Sequence, residues 1–232
     1  DGSNFSVPDA SSNSNTGTSS GMTVANLVQS DLIINAPFDS FSLNFDSASS
    51  DYIDCGTISS FDDGDITFSL WCNLTSNGTF QYILSSTNSS SVAGINIAVN
   101  NSGLLYFERS QAVANTQNFT SFYVVTGFTF GNWHHICGTY NATSGELKAY
   151  VDGDLKSTTT DVADTRSAST ALKIGGLSAS SSLPANGKIS NVSIFSAELT
   201  SAQVKTLYNE SKPFDLNTFA VTPVSWWRLG AV

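Results

Sequence analysis

The chain has 232 residues and a net charge of −10, and only 12% of its residues are charged, against roughly 25% in an average protein. Its nine basic residues are scattered, so the electrostatic footprint of a nucleic-acid binder is missing and an anionic membrane surface repels it. A hydrophobic content of 40% excludes a disordered composition, and a chain of this length buries about 70% of its unfolded surface, enough to fold without a metal or a disulfide.

Residues 1–37 are a lead rich in Ser, Asn, Thr and Gly. Ser11–Ser20 is of low complexity and predicts a flexible arm or linker. Met22, Val24, Leu27 and Val28 offer a short strand or a docking contact within it. No basic and apolar leader follows Asp1, so no signal peptide is expected in this sequence. No apolar run reaches the ~18 residues of a membrane span, so no membrane insertion is expected.

Strand signals begin at Phe38. Phe41, Leu43 and Phe45 alternate with polar residues. In Ile66–Asn73, Ile66, Phe68, Leu70 and Cys72 share one face, and Thr67, Ser69, Trp71 and Asn73 the other. Phe80–Ser85, Ile95–Asn100 and Leu104–Arg109 follow, the last two joined by the turn Asn100-Asn101-Ser102-Gly103. Phe119–Phe130 is dense in aromatics. Trp133–Tyr140 and Leu147–Val151 read as paired strands across an Asn141–Gly145 turn. Asp152-Gly153 can hold φ > 0 at both centres of a tight hairpin, and Leu155 opens a third strand. Leu172–Gly175 and Lys188–Phe195 complete the set.

One helix is predicted over 200–209. Thr200 and Gln203 form a capping box, and Leu199 and Val204 are spaced as its hydrophobic staple. Val204, Leu207 and Tyr208 fall on one face, and Pro213 lies beyond the end. Val224–Gly230, with Trp226 and Trp227 at its centre, reads as one more strand within a 213–232 extension. Strands this numerous and this regularly punctuated mean an all-β, antiparallel sandwich or barrel with one short C-terminal helix.

The chemistry is mostly negative. Cys55, Cys72 and Cys137 are odd in number and form no Cys-x-x-Cys pair. They predict neither a zinc site nor a disulfide framework, and Cys72 and Cys137 read as small buried apolar residues. His134 and His135 are the two histidines. Neighbours on a strand point to opposite faces, so they cannot serve one metal or one triad. One is expected in the core and the other on the concave surface or in solvent. No serine sits in a Gly-x-Ser-x-Gly setting. Trp71, Trp133, Trp226 and Trp227 are expected to pack internally, with sugar stacking as the other reading. Adjacent Trp226 and Trp227 cannot both enter the same layer. The Asn-x-Ser/Thr sequons at Asn73, Asn118, Asn141 and Asn191 are no more than so Asn-rich a chain yields by chance.

Trp133-His134-His135, then Gly138-Thr139-Tyr140, Leu147 and Tyr150-Val151-Asp152-Gly153, resembles the central hairpin of laminin-G-like domains, of the concanavalin A-like jelly-roll group. Leu43-Asn44-Phe45-Asp46 with Asp51-Tyr52-Ile53, then Ile66–Trp71, Gly187–Phe195 and Leu199–Tyr208, resembles the rest of that domain in order, across roughly residues 38–210, and the domain is set at 38–212. The resemblance implies a jelly roll. Hydrolase members of the group carry Glu-x-Asp-x-x-Glu, because retaining hydrolysis needs two carboxyls about 5 Å apart. The four glutamates here, Glu108, Glu146, Glu198 and Glu210, form no such string, so no catalytic residue and no enzyme activity are expected.

The group also implies a calcium, for which Asp46, Asp51, Asp54 and Asp62-Asp63-Gly64-Asp65 are the candidates. Gly187-Lys188-Ile189-Ser190-Asn191-Val192 lacks the acids of the group's closing segment, so no metal or other cofactor is assigned. Trp226-Trp227-Arg228-Leu229-Gly230 is similar to strings in large structural proteins of tailed phages. Two functions follow. One is a recognition or structural module on a virion capsid or fibre, assembled with other virion or surface proteins as an oligomer and able to adhere to cell-surface glycans. The other is an extracellular carbohydrate-binding module of a polysaccharide-degrading protein.

Overall fold

A computed structural model describes residues 4–29, 41–58, 64–86, 94–113, 116–124, 127–160, 171–177 and 183–230, with the backbone alone for 109–113 and 116–124. Phe38, Asp62 and Asp63 lie outside these residues. In chain order the strands are β1 (Ser6–Val7), β2 (Gly17–Ser20), β3 (Leu27–Gln29), β4 (Phe41–Phe45), β5 (Tyr52–Asp54), β6 (Ile66–Leu74), β7 (Gln81–Ser85) and β8 (Gly94–Val99). Then come β9 (Leu105–Val113), β10 (Thr116–Val124), β11 (His134–Tyr140), β12 (Glu146–Val151), β13 (Asp154–Thr160), β14 (Lys173–Ile174) and β15 (Gly187–Phe195). Helix α1 (Ser201–Tyr208) and β16 (Ser225–Trp227) close the chain.

The strands form two antiparallel sheets. The first runs β1-β2-β5-β14-β7-β8-β9-β10; the second runs β13-β12-β11-β6-β15-β4-β3, with β16 on β15. Their inner faces share one core, to which Leu43, Ile53, Phe68, Ile97, Phe107, Ile136 and Ile189 belong. Gly138 is a point of close approach between the sheets: a Cβ there would stand 2.8 Å from the Phe107 ring. The strand pattern predicts a sandwich or barrel and the resemblance a jelly roll; the observed fold is a sandwich of two antiparallel sheets, consistent with the jelly roll.

Local chemistry builds the central hairpins as expected. Asp152 and Gly153 adopt φ of 54° and 75°, joining β12 to β13 through a two-residue turn with Val151 paired to Asp154. Asn141 Oδ1 accepts from the backbone N–H of Thr143 and Ser144, and Asn100 Oδ1 from those of Ser102 and Leu104. At the helix, Thr200 and Gln203 make the reciprocal capping box. Leu199 and Val204 are both buried in one cluster.

Two expectations are corrected. The aromatic strand stops at Val124 rather than Phe130. Gly127 takes φ of +105°, and Phe128 turns into the core with its ring edge-on to Phe130 and 5.1 Å from His134. The lead is not a free arm over its described part, residues 4–29. It gives β1 and β2 to the first sheet and β3 to the second, and buries Val7 and Met22. Asp9 accepts from the Trp226 backbone N–H at 2.7 Å, and Trp227 Nε1 donates to the Asn15 carbonyl at 2.8 Å. The described lead therefore packs on its own chain's core.

Candidate functional site on the outer face of the first sheet

The outer face of the second sheet is covered. α1 and the segment after it lay Val204, Leu207 and Leu216 over Cys137, Tyr150, Phe195 and Trp226. Trp71 is stacked on Tyr208 at 5.9 Å and lies 5.2 Å from the His135 ring. Trp226 belongs to this second cluster and Trp227 to the main core. Trp71, Trp226 and Trp227 are all buried, and Trp133 is half-buried.

Both histidines are buried, which corrects the expectation that one would reach the surface. His134 Nδ1 lies 2.9 Å from Asp152 Oδ2, and its Nε2 accepts from the Thr129 N–H. His135 points to the opposite face, under Tyr208, with Nε2 2.8 Å from Ser69 Oγ. Burial drives its pKa down to about 3, against a smaller upward pull from Asp152, so it is a neutral packing group at physiological pH. Asp152 reaches the backbone N–H of His135 but not its ring; it bonds the buried His134 ring instead, whose Nε2 lies 3.1 Å from Thr129 Oγ1. Cys55, Cys72 and Cys137 are free and buried, and burial pushes their thiols up.

The described calcium candidates do not gather into one site. Asp51 turns inward, where Oδ2 accepts from the Asp46 N–H and from Asn26 Nδ2, and its carboxyl is raised chiefly by burial. Asp46 caps the Ala48 N–H, and Asp65 accepts from the Ala142 N–H. Among the described residues no three acids, histidines or cysteines gather as a cation would need, and these carboxylates are occupied as turn and loop caps. Asn191, the sequon residue on β15, is buried and accepts from Trp226 Nε1.

The outer face of the first sheet is different. Cross-strand register sets one unbroken row of polar side chains across it: Ser6, Thr18, Asp54, Lys173, Ser85, Asn96 and Glu108. Ile53, Ile174, Leu84, Ile97 and Phe107 alternate with them and enter the core, so the row lies on the outer side of the sheet; its middle, Lys173, Ser85 and Asn96, is buried there, while Ser6 and Thr18 are exposed. Asn96 Nδ2 donates to Glu108 Oε2 at 3.1 Å. Burial raises the Glu108 carboxyl, offset in part by the hydrogen bonds from Asn96 and Tyr82. The Tyr82 phenol is pushed up to about 12 by burial and by Glu108. The Lys173 ammonium stands 4.3 Å from the centre of the Tyr52 ring.

Aromatic rings flank the row at both ends. Phe80 meets Tyr106 edge-on at 4.8 Å and Tyr82 at 5.4 Å. At the other end Tyr52, Asp54, Thr18, Ser20, Thr16 and Asn4 line a groove of about 370 Å³, a size within the range of small-ligand sites. Its lining supplies hydroxyls, an amide, a carboxylate and one half-exposed ring. Such a set suits a ligand that carries many hydroxyls on an apolar ring face.

Sequence reasoning missed this groove because the lead builds half of it. The residues of β2 that face the core are Gly17 and Ser19, not large apolar groups. A Cβ on Gly17 would stand 2.6 Å from Ile53, and Ser19 Oγ accepts from the Phe5 N–H. The period-2 signal of apolar residues is therefore absent. The one usable signal was the alternation of Thr16, Thr18 and Ser20 around small residues.

The comparisons agree with this architecture. A candidate carbohydrate-binding protein from Bacteroides ovatus superposes with a TM-score of 0.61 at 17% identity, over 82% of this chain and 51% of its own. Botulinum neurotoxin type C, whose cell entry depends on interaction with two ganglioside molecules, gives 0.63 at 16% identity, over 92% and 52%. The CBM40 module of the Ruminococcus gnavus IT-sialidase, solved with α2,3-sialyllactose, gives 0.54 at 14% identity, over 62% and 83%. The chain thus spans about half the length of the first two. No curated protein matches by sequence. The model of the concanavalin A-like lectin/glucanases superfamily matches residues 46–205. The chain belongs to that superfamily.

Proposed function

We propose that the chain is a non-catalytic glycan-recognition module that binds through the outer face of its first sheet. The observation that carries this reading is the contrast between the two outer faces. One is buried beneath α1 and the tail; the other, at its β1-β2-β5 end, presents exposed Thr18 with Asp54 and the Tyr52 ring around a groove. Solved proteins of the same fold are named for carbohydrate, ganglioside and sialyllactose binding, which favours sugars as the ligand class.

The carboxylates of this face argue against hydrolysis. Asp54 and Glu108 stand four strands apart along the row. At about 4.8 Å per strand that is roughly 19 Å, well beyond the ~5–9.5 Å that glycoside hydrolysis uses. The finer setting, a virion capsid or fibre, rests on the Trp226–Gly230 string. Trp226 and Trp227 are spent inside this chain, so particle attachment would have to use another surface. Co-purification with intact particles tests that setting.

The binding reading is tested by titrating purified protein on a broad glycan array and then comparing Tyr52→Ala and Asp54→Asn. Both variants should keep the wild-type melting temperature within a few degrees and lose at least tenfold in affinity. Unchanged binding in both would remove this face from the reading.

A further inference from the structure

We infer that the groove at Tyr52 and Asp54 selects uncharged, hydroxyl-bearing glycans and rejects sugars that carry a carboxylate or a sulfate. This rests on the glycan-binding reading and names its ligand class. The argument is one of charge placement. Asp54 is a groove wall, and its Oδ1 is held by the Gly56 N–H, so a carboxylate is fixed at the site. Opposite it in register stands Lys173, which is only 9% exposed and lies over the ring of Tyr52. It is not among the groove-lining residues.

The remaining described cations are elsewhere. Lys148 bonds Glu146 and Glu198, and Lys156 and Lys205 flank Asp154, on the second sheet and α1. Lys188 is on β15, and Arg228 lies beside Trp226. Lys212 follows the helix. At the far end of the row the charged group is again an acid, Glu108. An anionic sugar entering the groove meets a fixed carboxylate, in a chain of net charge −10, with no forked guanidinium to receive it among the described residues that line it. A neutral sugar meets hydrogen-bond acceptors in Asp54 and Asn4, hydroxyls in Thr16, Thr18 and Ser20, and a ring face in Tyr52. Carboxylates accept from pairs of sugar hydroxyls without a charge penalty.

The test uses the full chain on matched glycan pairs: neutral galactose-, glucose- and mannose-terminated oligosaccharides, and the same structures capped with sialic acid or sulfate. The expected result is binding to at least one neutral glycan, at least tenfold weaker binding of its capped partner, and a narrower gap in Asp54→Asn. The gap should also shrink as salt is raised. Equal or tighter binding of the capped member would overturn the inference while leaving glycan recognition standing. Binding to no member of either set would overturn both. A gap unchanged in Asp54→Asn would assign the discrimination to another group and refute the role given to this carboxylate.

Discussion

Replacing Asp9 by alanine removes the acceptor that ties the beginning of the described chain to its end. Asp9 Oδ1 accepts from the backbone N–H of Trp226 at 2.7 Å and of Ser11 at 2.9 Å. Oδ2 accepts from Ser11 Oγ at 2.8 Å and from the Asn15 N–H at 2.8 Å. Around it, Asn13 Nδ2 donates to the Val224 carbonyl, which Ser11 Oγ also approaches at 2.9 Å. In Asp9→Ala, Ser11 and Asn15 can find water, but Trp226 is buried and its N–H is left without a partner. An orphaned buried donor costs about 1–3 kcal/mol, and a hydrogen bond to a charged group contributes about 1.5–3 kcal/mol. The expected loss is therefore about 2–4 kcal/mol. Asp9→Asn keeps one acceptor oxygen and should lose about half as much. Urea unfolding followed by tryptophan fluorescence measures both, since Trp226 and Trp227 report from the joint itself. A loss in Asp9→Ala under ~0.5 kcal/mol, the range of an ordinary surface substitution, would refute the conclusion that residues 4–29 are part of the folded core and return them to the status of a free arm.

Gly138→Ala places a methyl group against the Phe107 ring, 2.8 Å from Cε1. The overpacking should destabilise by about 1–3 kcal/mol, read as a lower urea midpoint with an unchanged slope. His135 is neutral in the fold, with a pKa driven down to about 3 by burial, against about 6.5 when unfolded. Its stabilising contribution is thus complete above about pH 6.5 and is lost as the pH falls towards 3, by about 2–3 kcal/mol between about pH 6 and about pH 4. Glu108, raised by burial, contributes the opposite slope in acid, so the comparison is with His135→Gln in the same buffers. That variant should show a flatter loss of stability on acidification, and an identical pH profile would rule His135 out as its source.

The parts of the fold legible in the sequence are those made by neighbours along the chain. The Asp152-Gly153 turn, the Asn100 and Asn141 loops and the Thr200–Gln203 box each depend on contacts a few residues apart. The alternation of Ile66, Phe68, Leu70 and Cys72 marked a strand face, because these residues are large enough to announce the side they bury. The end of the aromatic strand was misjudged, because strand propensity extends through Phe128 and Phe130, whereas Gly127 and the core decide where those rings go.

Composition, periodicity and turn chemistry determined by themselves that this is an acidic all-β sandwich or barrel with one capped helix, and the resemblance added the jelly roll and the comparison with the hydrolase acid string that the chain lacks. Tertiary structure alone decided that the polar lead is built into both sheets, that His135, Trp71 and Trp226 lie beneath the helix and tail, and that Thr18, Asp54, Lys173, Asn96 and Glu108 stand in one row. Those residues are drawn from five strands scattered between positions 17 and 174. No local pattern links them. Hydrogen-bond register between distant strands aligns them, and burial of the row's middle leaves the Thr18–Asp54 end, beside the groove, as its open part.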